Sequence, residues 1–174
     1  MQVDLRAFNS CDAIDFLRFD LERGASNLLQ LSFELSGSIQ SRFATIAEPR
    51  DRTFGLWQED CFELFLRPLD CRQYWELNFA PNGDWNCFLL SDYRQGLEAS
   101  NDIKIKTLKS RHLTQRYQIS ATLELAGDAL QLNKTFWMGP AAILAAAGSL
   151  HYFALEHGNK PDFHCPDHQR RFIN

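Results

Sequence analysis

The sequence carries no dense Lys/Arg block, no apolar run near the roughly 20 residues that span a bilayer, no CxxC pair and no internal repeat. Each absence removes a class of protein. Lys and Arg number 18 against 22 Asp and Glu, a formal net charge of −4, which argues against nucleic acid and anionic membranes as partners. The opening Met1-Gln2-Val3-Asp4-Leu5-Arg6 places an acid early and offers no apolar stretch, so no secretory signal is expected. Five cysteines, an odd number without CxxC spacing, read as reduced thiols and point to a cytoplasmic setting. The sequence holds no G-x-S-x-G, P-loop, G-x-G-x-x-G or H-E-x-x-H, so no catalytic residue is assigned from a motif. No Pro/Gly/Ser-rich linker divides the chain, and residues 1–174 are expected to form one domain.

What is present is a composition with 45% hydrophobic residues, enough for a core, arranged in short alternating runs. Leu29, Leu31, Phe33 and Leu35 alternate with Gln30, Ser32, Glu34 and Ser36, the pattern of a half-buried strand. Phe62, Leu64 and Leu66 form a second such run, and Tyr117, Ile119, Ala121, Leu123 and Leu125 a third. Asn82-Gly83 between apolar runs predicts a two-residue type I′ hairpin, with Pro81 opposite Asp84 and Ala80 opposite Trp85. That register gives a core face of Trp75, Leu77, Phe79, Phe88 and Leu90. It gives an opposite face of Tyr74, Glu76, Asn78, Trp85, Cys87 and Leu89. Residues 140–148 suit a short helix or a buried strand, and strand–turn–strand is preferred because the rest is β. Ala126–Leu130 has room for one helical turn. The expected class is all-β: a sandwich of two antiparallel sheets with about nine strands.

Two features carry candidate chemistry. On a strand, Glu63 falls opposite Phe62 and Leu64, away from the core, and pairing of the 60–67 and 74–80 strands makes it a neighbour of Asn78 or Glu76. A carboxylate, an amide and exposed rings suit a sugar: rings cover the C–H face of a pyranose and planar polar groups take its hydroxyls. Trp57 and Trp85 are the candidate rings, whereas Trp75 and Trp137 are expected in the core. The competing reading is a solvated strand face with Glu63 paired to Arg67 or Arg72. The second feature is the tail from His157 to His168, with three His, one Cys and two Asp. Its spacing matches no strong metal motif, and Asp162 is expected to fix a nearby histidine and lock the chain end. Lys160, Asp162 and His164 are candidates to line a pocket. Met138, beside Trp137, reads as core packing and not as a haem ligand.

The blocks Leu56-Trp57-Gln58-Glu59-Asp60-Cys61-Phe62-Glu63-Leu64-Phe65-Leu66, Tyr74 to Trp85, Asp92-Tyr93-Arg94-Gln95-Gly96 and Lys160-Pro161-Asp162-Phe163-His164 resemble DOMON-like domains related to the family 9 carbohydrate-binding modules. They look most like an uncharacterised bacterial subgroup, over roughly residues 28 to 168. The resemblance implies an immunoglobulin-like β-sandwich that binds a sugar or, in some branches, haem. It implies site roles for Trp57 and Glu63. A second family tryptophan near the C-terminal end is absent here, and Tyr152, Phe153 or Phe163 stands in its region. A lipocalin-like barrel, suggested by Gly55-Leu56-Trp57, is the rival fold.

The expected function is non-catalytic binding of a small polar ligand, a saccharide or a sugar-containing metabolite, with no cofactor. Trp57 and Trp85 would supply platforms, Glu63 and Asn78 would take hydroxyls, and Arg94 or Lys160 would meet a charged substituent. Two alternatives stay open: a haem-binding or redox domain, and a glycoside-active enzyme using Glu63. The oligomeric state does not follow from the sequence.

Overall fold

The computed structural model describes residues 1–25, 27–126 and 135–172. Among these, the strands are β1 Gln2–Ala7, β2 Phe16–Arg23, β3 Leu28–Ser36, β4 Cys61–Pro68, β5 Tyr74–Phe79 and β6 Trp85–Leu90. They continue with β7 Glu98–Ala99, β8 Ile103–Leu113, β9 Arg116–Leu125, β10 Phe136–Ala146, β11 Ser149–Ala154 and β12 Arg170–Phe172. No α-helix occurs among the described residues, only 3₁₀ turns such as Leu56–Gln58. The helical turn expected at Ala126–Leu130 falls, from residue 127 on, outside the described residues.

The all-β class holds, but the expected pair of separate sheets with about nine strands is corrected. The twelve strands form one antiparallel sheet in the order β7-β6-β5-β4-β10-β11-β1-β2-β3-β9-β8, with β12 on β10. The join is β1. Its residues Gln2 to Leu5 pair with β2, and Arg6 and Ala7 pair with β11. A strand that changes partners along its length merges what would otherwise be two sheets. The sheet curls over a common core: Phe33 of β3 meets Phe62 of β4 at 5.3 Å, and Phe62 stacks on Tyr117 of β9 at 6.4 Å. Its end strands β7 and β8 do not pair with each other, so it is not a closed barrel.

Local sequence explains most of the strands. In β3 and β9 every second residue is buried, which puts Leu29, Leu31, Phe33 and Leu35 opposite Leu123, Ala121, Ile119 and Tyr117. The apolar run 141–146 belongs to β10, a central strand between β4 and β11 covered on both faces, so it needs no polar alternation. Met138 is fully buried in the main core, whereas Trp137 points the other way, under the guanidinium of Arg67 at 5.7 Å. The expectation that Trp137 is core is therefore corrected. β10 runs through Phe136 and Met138 inward, and strand alternation turns Trp137 out.

A two-residue hairpin of the I′ kind does occur, but at Ala147-Gly148, where both residues have positive φ (49° and 77°) and Ala146 pairs with Ser149. An alanine in the left-handed region costs about 1 kcal/mol, a cost asparagine largely avoids. Ala147→Asn is therefore expected to stabilise the protein by about 0.5–1 kcal/mol, and urea denaturation midpoints measure it. An unchanged or lower midpoint would show that the turn carries no strain.

The Asn82-Gly83 hairpin is corrected by one residue. Gly83 donates to the carbonyl of Ala80 at 3.0 Å and Ala80 donates to Asp84 at 2.9 Å, which makes a three-residue loop, Pro81-Asn82-Gly83. Phe79 then pairs with Trp85 and Leu77 with Cys87. Proline decides it: Pro81 has no N–H to pair with Asp84, and its fixed φ suits the first central position of a type I turn. Gly83, at φ 96°, closes the loop, and Asn82 Oδ1 accepts the Asp84 N–H at 2.9 Å. The slip turns β6 over. Trp85, Cys87 and Leu89 pack on the main core, and Asn86, Phe88 and Leu90 share the face of Tyr74, Glu76 and Asn78.

Candidate functional site

The outer face of β4, β5, β6, β10 and β11 is roofed by three connections: Phe54 to Gln58, Asp92 to Leu97, and the tail from Gly158 to Cys165. Between face and roof lies a cleft of about 340 Å³, a size typical of small-molecule sites. Its floor is Glu63 of β4, Glu76 of β5, Leu90 of β6, Ile143 of β10 and Tyr152 of β11. Its roof brings Trp57, Arg94, Leu97, Pro161, Phe163 and His164. The floor residues share one face because each pair of neighbours obeys the register: Ile143 sits opposite Tyr152, and Phe65, two residues beyond Glu63, sits opposite Glu76.

The aromatic walls are held by other rings. Trp57 meets Phe54 at 5.0 Å and Phe88 at 5.8 Å, both edge-on. Phe163 packs on Tyr152 at 6.2 Å and on Phe65 at 6.5 Å. These rings surround a second, smaller apolar cluster of Phe65, Tyr74, Phe88, Leu90 and Ala141, outside the main core. Trp57 therefore enters the cleft from a packed base, and rigid placement lowers the ordering cost of holding a ligand.

The polar groups form a linked set. Glu63 is 2% exposed and Glu76 5%. Burial first, and then the neighbouring Glu76, pushes the Glu63 carboxyl well above its usual range. The expectation of an outward-facing, solvated Glu63 is corrected: it points away from the main core, but the roof covers it. Burial also raises Glu76, against the pull of Asn78 and Arg94. Asn78 donates to Glu76 Oε1 at 3.0 Å and has no exposure of its own, so it braces Glu76 from behind. Glu63 Oε1 is buried with no hydrogen-bond partner. Neither Arg67 nor Arg72 pairs with it: Arg67 donates to Gln169 and Arg72 to Asp92.

His164 closes the set. Its Nδ1 lies 2.7 Å from the Tyr74 hydroxyl, which accepts the backbone N–H of Arg94 at 3.1 Å. A hydroxyl proton given to Nδ1 serves both groups and leaves the imidazole N–H on Nε2, 3.9 Å from Glu76 Oε2. Burial, with Arg94 nearby, lowers His164 to about 4, so the ring is neutral at physiological pH. Burial pushes Tyr74 up to about 12, and it stays a hydroxyl. Arg94, with φ 53°, is tied to the tail: its guanidinium bonds Asp162 Oδ1 at 3.0 Å, and the Tyr93 hydroxyl donates to Asp162 Oδ2. Although burial opposes it, Tyr93 and Arg94 hold Asp162 below its usual range.

Of the residues singled out by sequence, Trp57, Glu63, Arg94 and His164 line the cleft. Asn78 and Asp162 stand behind it as braces. Lys160 is exposed and does not line it, although its neighbour Pro161 does. Trp85 is on the opposite face, with Arg52 over its ring at 4.8 Å, so the slip of register removes it from the cleft. Glu76 stands on the face that strand parity gives it, with Tyr74 and Asn78, whereas Tyr152 and Phe163 take places that a spacing argument alone does not give them. Phe153, the other aromatic of that region, is buried in the main core. The tail histidines diverge: His157 bonds the carbonyl of Arg6, His168 that of Asp162, and His164 enters the cleft. No three His, Cys, Asp or Glu converge as metal ligands among the described residues.

No family model matches the sequence, and no curated protein matches it. Two solved structures share the fold. One, from Bacteroides uniformis, is provisionally described as a carbohydrate-binding protein; the match has a TM-score of 0.67 at 13% identity and covers 98% of this chain and 84% of that one. The other is a family 9 carbohydrate-binding module from Caldicellulosiruptor kristjanssonii in complex with cellotriose; it matches with a TM-score of 0.50 at 14% identity over 88% of this chain and 71% of that one. The fold is therefore carbohydrate-binding-module-like.

Proposed function

We propose that this chain binds a saccharide without breaking it, in the cleft between Trp57 and the Tyr152–Phe163 pair. The observation that carries the reading is the composition of that cleft: packed rings for the apolar face of a pyranose, beside carboxyls and a fixed imidazole N–H for its hydroxyls. The fold it shares with the cellotriose-bound module from Caldicellulosiruptor kristjanssonii supports the same reading. On this reading residues 1–174 act as one DOMON-like binding domain, in the cytoplasm. The haem alternative gains nothing from Met138, the one non-initial methionine, which lies in the main core. Glycoside cleavage is the rival with an observation behind it, since two carboxyls of raised pKa share the floor.

The test is titration calorimetry against a panel of mono- and disaccharides, with reducing-sugar release measured on the same mixtures. Trp57→Ala is expected to weaken binding about fivefold to tenfold, the size of one lost ring contact. Turnover of a glycoside would favour the rival. Unchanged affinity in Trp57→Ala for every sugar that binds would place the site elsewhere.

A further inference from the structure

We propose that the sugar this cleft selects carries a protonated amine, that is, an amino sugar, and that its ammonium seats against Glu63 and Glu76. This rests on the saccharide reading above and names the class within it.

The ground is an imbalance of charge and hydrogen bonds on the floor. Two carboxyls on adjacent strands face the same cleft, both nearly without solvent. Asn78 serves one oxygen of Glu76. Oε1 of Glu63 is buried and has no hydrogen-bond partner among the described residues. Leaving such an atom unserved costs about 1–3 kcal/mol, a cost that a ligand donor removes. Among the described residues that line the cleft the cation is Arg94, and it is already engaged: it is bonded to Asp162, and its guanidinium also lies 5.8 Å from the Tyr93 ring. His164 brings a neutral N–H, directed at Glu76 from 3.9 Å. The other ionisable groups packed around the floor, Tyr74 and Cys61, are neutral as well, because burial raises both. The floor therefore holds two acids, and Arg94, the cation that pulls on Glu76, is hydrogen-bonded to Asp162 instead. A hydroxyl would give each acid an ordinary hydrogen bond. An ammonium gives up to three donors and the missing charge together, and charge-assisted bonds are roughly twice as strong in such a dry site. The rings of Trp57, Tyr152 and Phe163 remain free to cover the apolar face of the sugar.

Seating a cation there favours the ionised form of the carboxyls. A proton held by the Glu63–Glu76 pair in the empty cleft is released to solvent when the ammonium binds, and no other group need change state.

The experiment uses the full chain at pH 6.5, with glucosamine, glucose, N-acetylglucosamine and n-butylamine titrated by calorimetry in buffers of different ionisation enthalpy. Glucosamine is expected to bind at least about tenfold more tightly than glucose or N-acetylglucosamine, with net proton release. Glu63→Gln is expected to erase both the preference and the proton release. Glucose binding as well as glucosamine, with no proton released, would overturn the amino-sugar assignment and leave the saccharide reading standing. Butylamine binding as well as glucosamine would overturn it too, since the ring and hydroxyls would then contribute nothing. Binding of none of the four would overturn both.

Discussion

Glu63→Gln is expected to make the free protein more stable, by about 1–3 kcal/mol at pH 8, while impairing its ligand binding. The stability side follows from burial. The folded-state pKa of Glu63 lies well above that of an exposed glutamate, because burial and Glu76 both disfavour its charge. An acid shifted upward binds its proton more tightly in the folded chain than in the unfolded one. Stability then falls as pH rises from the unfolded value of about 4.3 up to the folded value, and stays low above it. Glutamine has the same shape and no charge to bury. Its amide also brings a donor to the cross-strand position opposite Asn78, whose Oδ1 is itself buried without a partner. The gain should vanish near pH 4, where both variants are neutral at this position. Urea denaturation of the two proteins at pH 4 and pH 8 measures it. A Gln variant no more stable than the parent at pH 8 would mean that Glu63 imposes no cost, and the case for a cleft kept acidic for a ligand would weaken with it.

A residue that costs stability where it stands is a common mark of a binding site, and the floor of this cleft has two of them. Asn78 offsets part of the cost for Glu76, and Cys61 part of that for Glu63, whose Oε1 still has no hydrogen-bond partner among the described residues. The roof is built differently. Arg94, Tyr93 and Asp162 satisfy one another and fix the tail over the strands, so the chain stabilises the cover and leaves the floor short of partners. This division suits a cleft held open and shaped before the ligand arrives.

How far the sequence reveals this depends on the range of the interactions involved. β3, β9 and the β10–β11 hairpin are legible because period-two burial is written into consecutive residues. β1 is not, since Leu5 is its one buried residue and its role is to pair with two different strands. The Asn82-Gly83 turn misleads because the residue before it decides the loop: one missing N–H at Pro81 moves the register by one, and every side chain of β6 with it. Trp57 and Glu63 are found through their place in a familiar block, and strand parity alone sets Glu63 away from the core. Tyr152 and Phe163 come from remote parts of the chain, and their meeting with Trp57 depends on the β10–β11 pairing and on the tail being drawn back by Arg94. No spacing rule within one segment encodes that convergence.

The second large effect is a dependence of stability on acid, opposite in slope to that of Glu63. His164 is neutral in the folded chain with a pKa of about 4, against about 6.5 when unfolded. Between those values the unfolded chain binds a proton that the folded one refuses, so stability rises with pH through this window and is complete above about 6.5. Acidification to below pH 4 should remove on the order of 3 kcal/mol through this residue. The structural cause is burial of the ring first, with the Arg94 guanidinium nearby, both of which disfavour a charged imidazole. Nδ1 faces the Tyr74 hydroxyl, which also accepts the Arg94 N–H, so a change at the ring reaches the segment that carries Arg94. His164→Gln, neutral at every pH, should therefore flatten the acid limb between pH 4.5 and 6.5, leaving the descending trend from Glu63 to dominate. Urea denaturation across that range reads the slope. Nuclear magnetic resonance of the His164 ring should show no titration above about pH 5, and a midpoint near 6.5 would instead place the imidazole in solvent, with the Tyr74 bond unmade.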